Sequence, residues 1–355
     1  MNQTPSRSQP ALTLDMAAAE RLAAASRLAG QVEALGLMWP WWESFALGPL
    51  AAAGAVAEAG LLGYQADLAE LLALGPEPNP SRPKKGLRLA VGLTLAARKL
   101  KSVPPDRPLT PVLVTEIFQG IDAPHLARSK APAARTEPAG PVEGSAVWTL
   151  AGRWIAGGLP PLWAAGLALA SWEREGPEHR MRSLTGRVLL GGLAPRLGIP
   201  SAALVFLGPA LAEAAQGHFR SWTALLKKVR GEGAWRSFLQ VFLAAAELAA
   251  RRAMEAALKV QALRESHLDL IETWVRAPRH PKQLLGLFLA RPVLDLPLVS
   301  AELKVTQRTA GLLVDKLKEQ GLIAETTGQR RGRRFAYAPL IDILQPGWSE
   351  APKKE

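Results

Sequence analysis

The chain has 355 residues, 48% hydrophobic and 21% charged, so it can bury a sizeable core. It has no cysteine, which excludes disulfides, thiolate metal sites and thiol nucleophiles. The net charge is +12 and the isoelectric point near 10.3, a balance that points to an acidic polymer or surface as partner. Abundant Ala, Gly, Pro, Arg and Trp also suit a GC-rich coding sequence, so where the charge lies matters more than its sum.

Residues 1–14 read as a disordered leader, polar and without the apolar core of a signal peptide. Residues 15–101 form an N-terminal helical region. A first helix starts at Asp15 and runs through Gly30, with Met16, Ala19, Leu22, Ala23 and Ser26 at helical spacing. A second is expected over Trp42 to Ala59 and a third over Tyr64 to Leu74, separated by Gly60 and Gly63. Glu77–Pro83 reads as a proline-rich turn, and a basic helix follows from Lys84 to Lys101. Its cations (Lys84, Lys85, Arg88, Arg98, Lys99, Lys101) could face phosphates, although a solvated helix end explains them more simply.

Residues 102–145 form a Pro-rich linker, with a short strand or helix at Val112–Phe118. Helices return over 146–277, beginning with Trp148–Ile155 and Leu162–Arg174. The uncharged run Trp154–Trp172 has the length of a membrane span, but Gly157-Gly158 and Pro160-Pro161 interrupt it, and a buried helix starting after the prolines fits better. A cytoplasmic location without membrane contact is therefore expected. Ala234 to Ala277 contains neither Gly nor Pro and would span about 66 Å as one helix, at ~1.5 Å per residue. Phe238, Val241, Phe242, Ala245, Leu248 and Ala249 form its apolar stripe. Leu258, Ala262, Leu270, Ile271 and Trp274 continue it less regularly, with room for a break near Ser266-His267.

Residues 279–344 follow a different pattern, and 345–355 read as a tail. Short helices over Lys282 to Ala290 and Leu298 to Leu303 precede a third, Gln307 to Gln320, capped by Thr306 and stopped by Gly321. Two β-type runs, Leu322–Thr326 and Arg334–Tyr337, flank a glycine-bearing loop. Three helices followed by a hairpin define a winged helix-turn-helix. The predicted fold class is thus mainly α: a helical bundle region followed by a C-terminal winged helix-turn-helix domain.

Ala310, Leu313, Val314 and Leu317 would face the core, leaving Gln307, Arg308, Asp315 and Lys318 exposed and Thr309 in the first turn. Residues that open such a helix reach base edges: Arg308 suits guanine and Gln307 adenine. The loop carries Arg330, Arg331, Arg333 and Arg334, suited to phosphates or a minor groove. Residues 279–340 hold eleven Lys/Arg against five Asp/Glu, half the net charge in about a sixth of the length. The expected DNA-binding residues are Thr306, Gln307, Arg308, Thr309, Lys318, Arg330, Arg331, Arg333 and Arg334, with double-stranded DNA as partner and a homodimer as an option.

Eleven tryptophans sit mostly on apolar helical stretches and read as core filling; Trp39-Pro40-Trp41-Trp42 is the cluster that could form an interaction surface. No phosphate-binding loop, nucleophile elbow or His-Glu-x-x-His motif occurs, so neither enzymatic activity nor a cofactor or metal is expected. Glu173 and Glu175, near His179, read as surface charges.

Residues 234–344 resemble the end of Fic/Doc-type proteins. The resemblance is carried by Trp235-Arg236-Ser237-Phe238-Leu239, the long helix through Leu270, Ala290-Arg291-Pro292-Val293, Val305-Thr306-Gln307-Arg308-Thr309-Ala310 and Gly321-Leu322-Ile323. It extends to Thr327-Gly328-Gln329-Arg330-Arg331, Phe335-Ala336-Tyr337 and Ile341-Asp342-Ile343-Leu344. Upstream, Gly158-Leu159-Pro160-Pro161-Leu162-Trp163-Ala164-Ala165 and Ala170-Ser171-Trp172-Glu173 are similar to plasmid-borne alphaproteobacterial proteins that pair a helical Fic-like region with this winged helix. The Fic catalytic motif, His-x-Phe-x-Asp/Glu-Gly-Asn-Gly-x-x-Arg, is not matched, and the only asparagines are Asn2 and Asn79. AMP transfer, the activity that motif serves, is therefore not carried over, and the resemblance implies a non-catalytic Fic-like region joined to a DNA-binding module. Two readings follow: a DNA-binding transcriptional regulator, or a catalytically dead Fic-like adaptor acting through protein–protein contacts. A continuous positive face on helix three and the wing would favour the first; acidic residues or packed helices over that face would favour the second.

Overall fold

The computed structural model describes residues 15–74, 84–103, 110, 113–117, 121, 145–176, 181–219, 221–274, 279–328 and 332–345. The expected leader, the Glu77–Pro83 turn, most of the 102–145 linker, the tail beyond Gln345, and Arg330 and Arg331 lie outside them. Among the described residues the protein is mainly α, with one small sheet.

Helix α1, Met16–Met38, starts where the sequence places it, with the Asp15 carboxylate accepting from Ala18 N at 2.8 Å. It continues past Gly30, and its buried stripe is Ala18, Leu22, Ala25, Ala29, Val32 and Leu35. The expected stripe was misplaced: Met16, Ala23 and Ser26 are exposed. Alanines around the whole circumference blur the apolar face, and only the leucines and valine fix it. The second expected helix is α2, Trp42–Phe45, a π-turn Ala46–Leu50, and α3, Ala51–Leu61. Pro49 sits inside the π-turn; it lacks an N–H, and the wider turn accommodates that loss. By length and composition Trp42–Leu61 could cross a membrane, but half of its most apolar window is buried within the protein. The expected third helix shortens to α4, Leu68–Ala73, because Asp67 caps it through Glu70 N. The basic helix is α5, Lys85–Ser102, and 113–117 is helical.

Trp154–Trp172 is divided as the glycines and prolines require. Helix α6, Ser145–Ala156, ends in a turn with Gly158 at φ +94°, and α7, Pro161–Glu175, begins with proline in its first turn. Helices α8 (Arg182–Leu193), α9 (Leu207–His218) and α10 (Trp222–Glu232) lead to α11, Trp235–Trp274. This 40-residue helix is unbroken, about 60 Å long at ~1.5 Å per residue. The break allowed for at Ser266-His267 is absent. Its stripe departs from the expectation after the first half, where Leu258 is 52% exposed and Ala262 is exposed while Ala253, Ala257 and Val260 are buried; Ile271 is buried as expected.

Two hydrophobic cores result, and α11 belongs to both. Phe238–Ala249 packs with α3, α5, the first half of α1 and α6–α10. Ala250, Ala253, Ala257, Val260 and Ile271 pack with the second half of α1, with Trp42, Phe45 and Leu50, and with the C-terminal region. Trp148, Trp163 and Trp172 are buried core fillers, as expected, and Trp42, from the cluster that could have formed an interaction surface, is buried too. Trp39 and Trp41 stack at 5.4 Å between centroids, and Trp41 Nε1 donates to Gln261 Oε1 at 2.9 Å. The tryptophan cluster is thus an internal joint.

Glu173 corrects the sequence reading. It is fully buried and accepts from Arg230 at 2.7 Å, while its backbone carbonyl accepts from Arg182 at 3.0 Å. Its place on the inner side of α7, not its nearness to the helix end, decides its surroundings. A second buried pair joins α3 to α8: Arg187 Nε and a terminal nitrogen donate to the two Glu58 oxygens at 3.0 and 2.7 Å. Burial works against the Arg187 charge, and the Glu58 carboxylate outweighs it, leaving the guanidinium pKa above its usual value.

Candidate nucleic-acid interface

Helix α12, Arg279–Ala290, is amphipathic and buries Leu284, Leu285, Phe288 and Leu289. Strand β1, Val293–Asp295, follows Pro292 and was not anticipated. Three residues are too few to show an alternation, and β1 exists because β3, Arg334–Ala336, pairs with it: Val293 lies opposite Ala336 and Asp295 opposite Arg334. Strand β2, Ala324–Glu325, takes the other side of β3, giving the order β1-β3-β2. Asp295 also caps α13, Leu296–Leu303, by accepting from Leu298 N at 2.9 Å.

Lys304 turns the chain in the left-handed region, at φ 54°, and Thr306 opens α14, Gln307–Glu319. The Thr306 hydroxyl accepts from Thr309 N at 3.2 Å and lies 2.9 Å from the Thr309 hydroxyl. Both threonines are thus engaged in setting the helix start. Ala310, Val314 and Leu317 are buried and Leu313 half-buried, as the spacing predicts. On the opposite side Gln307, Arg308, Leu312, Lys318 and Glu319 are exposed, and Asp315, expected to be exposed, is half-buried. Leu312 went unnoticed in the sequence, although it is apolar and lies off the 310–314–317 stripe.

This unit is held to the rest of the protein through other elements. Helix α12 packs on α2 and the π-turn, β1 on α4, and α15, Ala338–Leu344, on α11. Leu68 N donates to Gln345 Oε1 at 2.9 Å. Buried Tyr337 meets His267 of α11, with its hydroxyl 2.6 Å from Nδ1. Burial raises the Tyr337 pKa and lowers that of His267, so the pair is held neutral. Helix α14 itself packs chiefly on α12 and α13, which leaves its first two turns open.

The wing is a hairpin whose ends are tied by Thr326 N donating to Arg334 O at 2.9 Å and Arg334 N donating to the Thr327 hydroxyl at 3.3 Å. Gly328 and Gly332 take positive φ at 60° and 68°, which the turn requires. Arg334 is exposed. Arg333 is half-buried, 5.4 Å over the Phe335 ring. Glu325 changes the electrostatics: Lys318 Nζ of α14 and an Arg333 nitrogen of the wing each lie 3.8 Å from its Oε2. Two expected DNA-contacting cations therefore converge on one carboxylate at the wing's root, which spacing alone did not reveal. Arg308 and Arg334 form no such pair in the described contacts. Lys84, at the cap of α5, lies 3.9 Å from Glu70, and Lys99 of α5 is paired with Glu116, which weakens the second phosphate-facing surface considered from sequence. Among the described residues no group of three His, Asp or Glu could hold a metal ion.

Residues 282–336 match a family model described as an HTH DNA binding domain. The match places the winged helix, α12 to β3, among DNA-binding domains. No curated protein matches the chain. Among solved structures, a Fic family protein from Desulfovibrio desulfuricans G20 is similar at 13% identity, covering 93% of this chain and 98% of that one, with a TM-score of 0.49. That likeness is too low to convey an activity.

Proposed function

We propose that the chain is a sequence-specific transcriptional regulator that reads double-stranded DNA with the start of α14 and steadies it with the wing. The observation that supports this is the open first two turns of α14, fixed by the Thr306 cap and presenting Gln307 and Arg308 to solvent within a unit that matches a DNA-binding domain. Arginine and glutamine at the head of such a helix can fork onto guanine and adenine in a major groove. Arg334, with Arg330 and Arg331 of the wing, adds charge for the backbone. The helical body then serves as a non-catalytic scaffold, in a cytoplasmic protein that needs no cofactor or membrane and can pair as a homodimer on a two-fold site.

A second reading is a Fic-like adaptor that uses the same face for protein. Glu325, set between Lys318 and Arg333, and Glu319 on α14 favour it, because they interrupt the positive surface. Selection from randomised duplexes with the full chain tests the choice. Enrichment of a defined sequence, with binding that weakens steeply as salt rises, supports the regulator. Failure to enrich any duplex leaves the adaptor.

A further inference from the structure

On α14, at about 100° per residue, Gln307, Arg308, Gly311 and Leu312 fall within an arc of roughly 140° across the first two turns. Two features of this patch have no explanation inside the protein. Leu312 is 66% exposed, and among the described residues of 279–345 it is the one exposed large hydrophobic side chain. Leu317, five residues on and about 140° around the helix, is buried, so the fold had an apolar stripe that Leu312 does not join. Gly311 stands in the middle of a helix, where glycine is unfavourable relative to alanine. A Cβ there would meet nothing within 4 Å, so no internal close approach requires the glycine.

Both features suit a helix whose early turns press against another surface. A glycine lets a second molecule come up to the helix backbone, and an adjacent exposed leucine supplies one apolar contact there. In a major groove the apolar group that base pairs present is the thymine methyl, beside the acceptors and donors that arginine and glutamine read. Farther along the same side of α14 stand two carboxylates, Asp315 and Glu319, about 10 Å and 16 Å from Arg308 at ~1.5 Å per residue, and Lys318, between them in sequence, is drawn to Glu325. Carboxylates at that end disfavour phosphates, so the helix approaches the duplex by its N-terminal half.

Resting on the DNA-binding reading above, we infer that Leu312 is a specificity-determining residue that reads a thymine methyl, and that Gly311 is the point where the helix backbone closes on the groove. The patch reads guanine or adenine through Arg308 and Gln307 and an adjacent thymine through Leu312.

The test uses the full chain and the duplex it selects from a randomised pool. Each thymine of that duplex is replaced in turn by deoxyuridine, which removes only the methyl group. For the native chain one replacement should weaken binding about fourfold, the value of one methyl withdrawn from water. Leu312→Ala should bind the thymine duplex more weakly and be indifferent to that replacement. Gly311→Ala should raise the thermal midpoint, as helix propensity dictates, and yet weaken the selected duplex. A stabilising change that harms binding is not what a purely structural glycine would give. If the selected duplex binds tightly but no thymine matters, or if Leu312→Ala keeps the sensitivity, the thymine assignment is overturned while DNA binding stands. Gly311→Ala with unchanged affinity overturns the close approach. If no duplex is selected, the DNA-binding reading itself falls, and Leu312 becomes an anchor for protein.

Discussion

Replacing Glu325 by glutamine keeps the shape of the side chain and removes one negative charge from the root of the wing. Lys318 and Arg333 each lie 3.8 Å from its Oε2, and the three side chains are 47%, 32% and 18% exposed. Pairs of this kind hold about 0–1 kcal/mol each, so the variant should lose little stability; Arg333 also keeps its place over Phe335. Two cations are then released toward the surface where a duplex would lie. If both neutralise phosphates, log affinity against log salt should steepen by up to about 1.8, at ~0.9 per phosphate. Relief of about 1 kcal/mol of competing attraction corresponds to roughly fivefold tighter binding at low salt. Fluorescence anisotropy with the selected duplex, run across a salt series, reads both quantities, and thermal melting controls for stability. An unchanged slope and affinity in a variant that melts normally would refute the placement of these cations against DNA.

Arg308→Ala should lose about 1–3 kcal/mol on the preferred site and relax the base preference there, whereas loss of affinity alike on all duplexes would assign Arg308 to the backbone. Glu58→Leu leaves the buried Arg187 charge unpaired and should destabilise the protein by about 3–5 kcal/mol in urea unfolding, with much of that recovered when Arg187→Met is added; a near-silent single change would count against the pair. His267 has a folded-state pKa below 6.5 because it is half-buried, so the unfolded chain takes up the proton first. Stability should be fully present above about pH 6.5 and fall as pH drops through that range toward the lowered value, and His267→Asn should flatten that dependence. Incubation with ATP should leave AMP on neither the chain nor a target protein; reproducible transfer that survives contaminant controls would overturn the non-catalytic reading.

The winged helix was legible because its signals are local: Thr306 caps, Gly321 stops, and Ala310, Val314 and Leu317 repeat at helical steps within one short segment. The long helix was legible for the same reason, since an uninterrupted 40 residues without Gly or Pro leave few alternatives. What escaped depends on partners distant in sequence. Strand β1 is defined by β3, about forty positions away. Glu173 reads as surface until Arg230 and Arg182 are packed around it. Glu325 looks like an ordinary strand carboxylate until the hairpin folds it between Lys318 and Arg333. Leu312 was visible and passed over, because a single apolar residue off a stripe carries no periodic signal.

The place of α11 in both cores bears on how the protein comes apart. The winged helix begins in sequence at residue 279, yet the apolar surface that completes its core includes Val260 and Ile271, and the partner of the Tyr337 hydroxyl is His267. A fragment cut at residue 279 would carry an open core and an orphaned buried phenol. The reading unit is therefore separable on paper and not by scissors: its melting should coincide with that of the body in one calorimetric transition, and a portable version would have to take the second half of α11 with it, from about Ala250 onward.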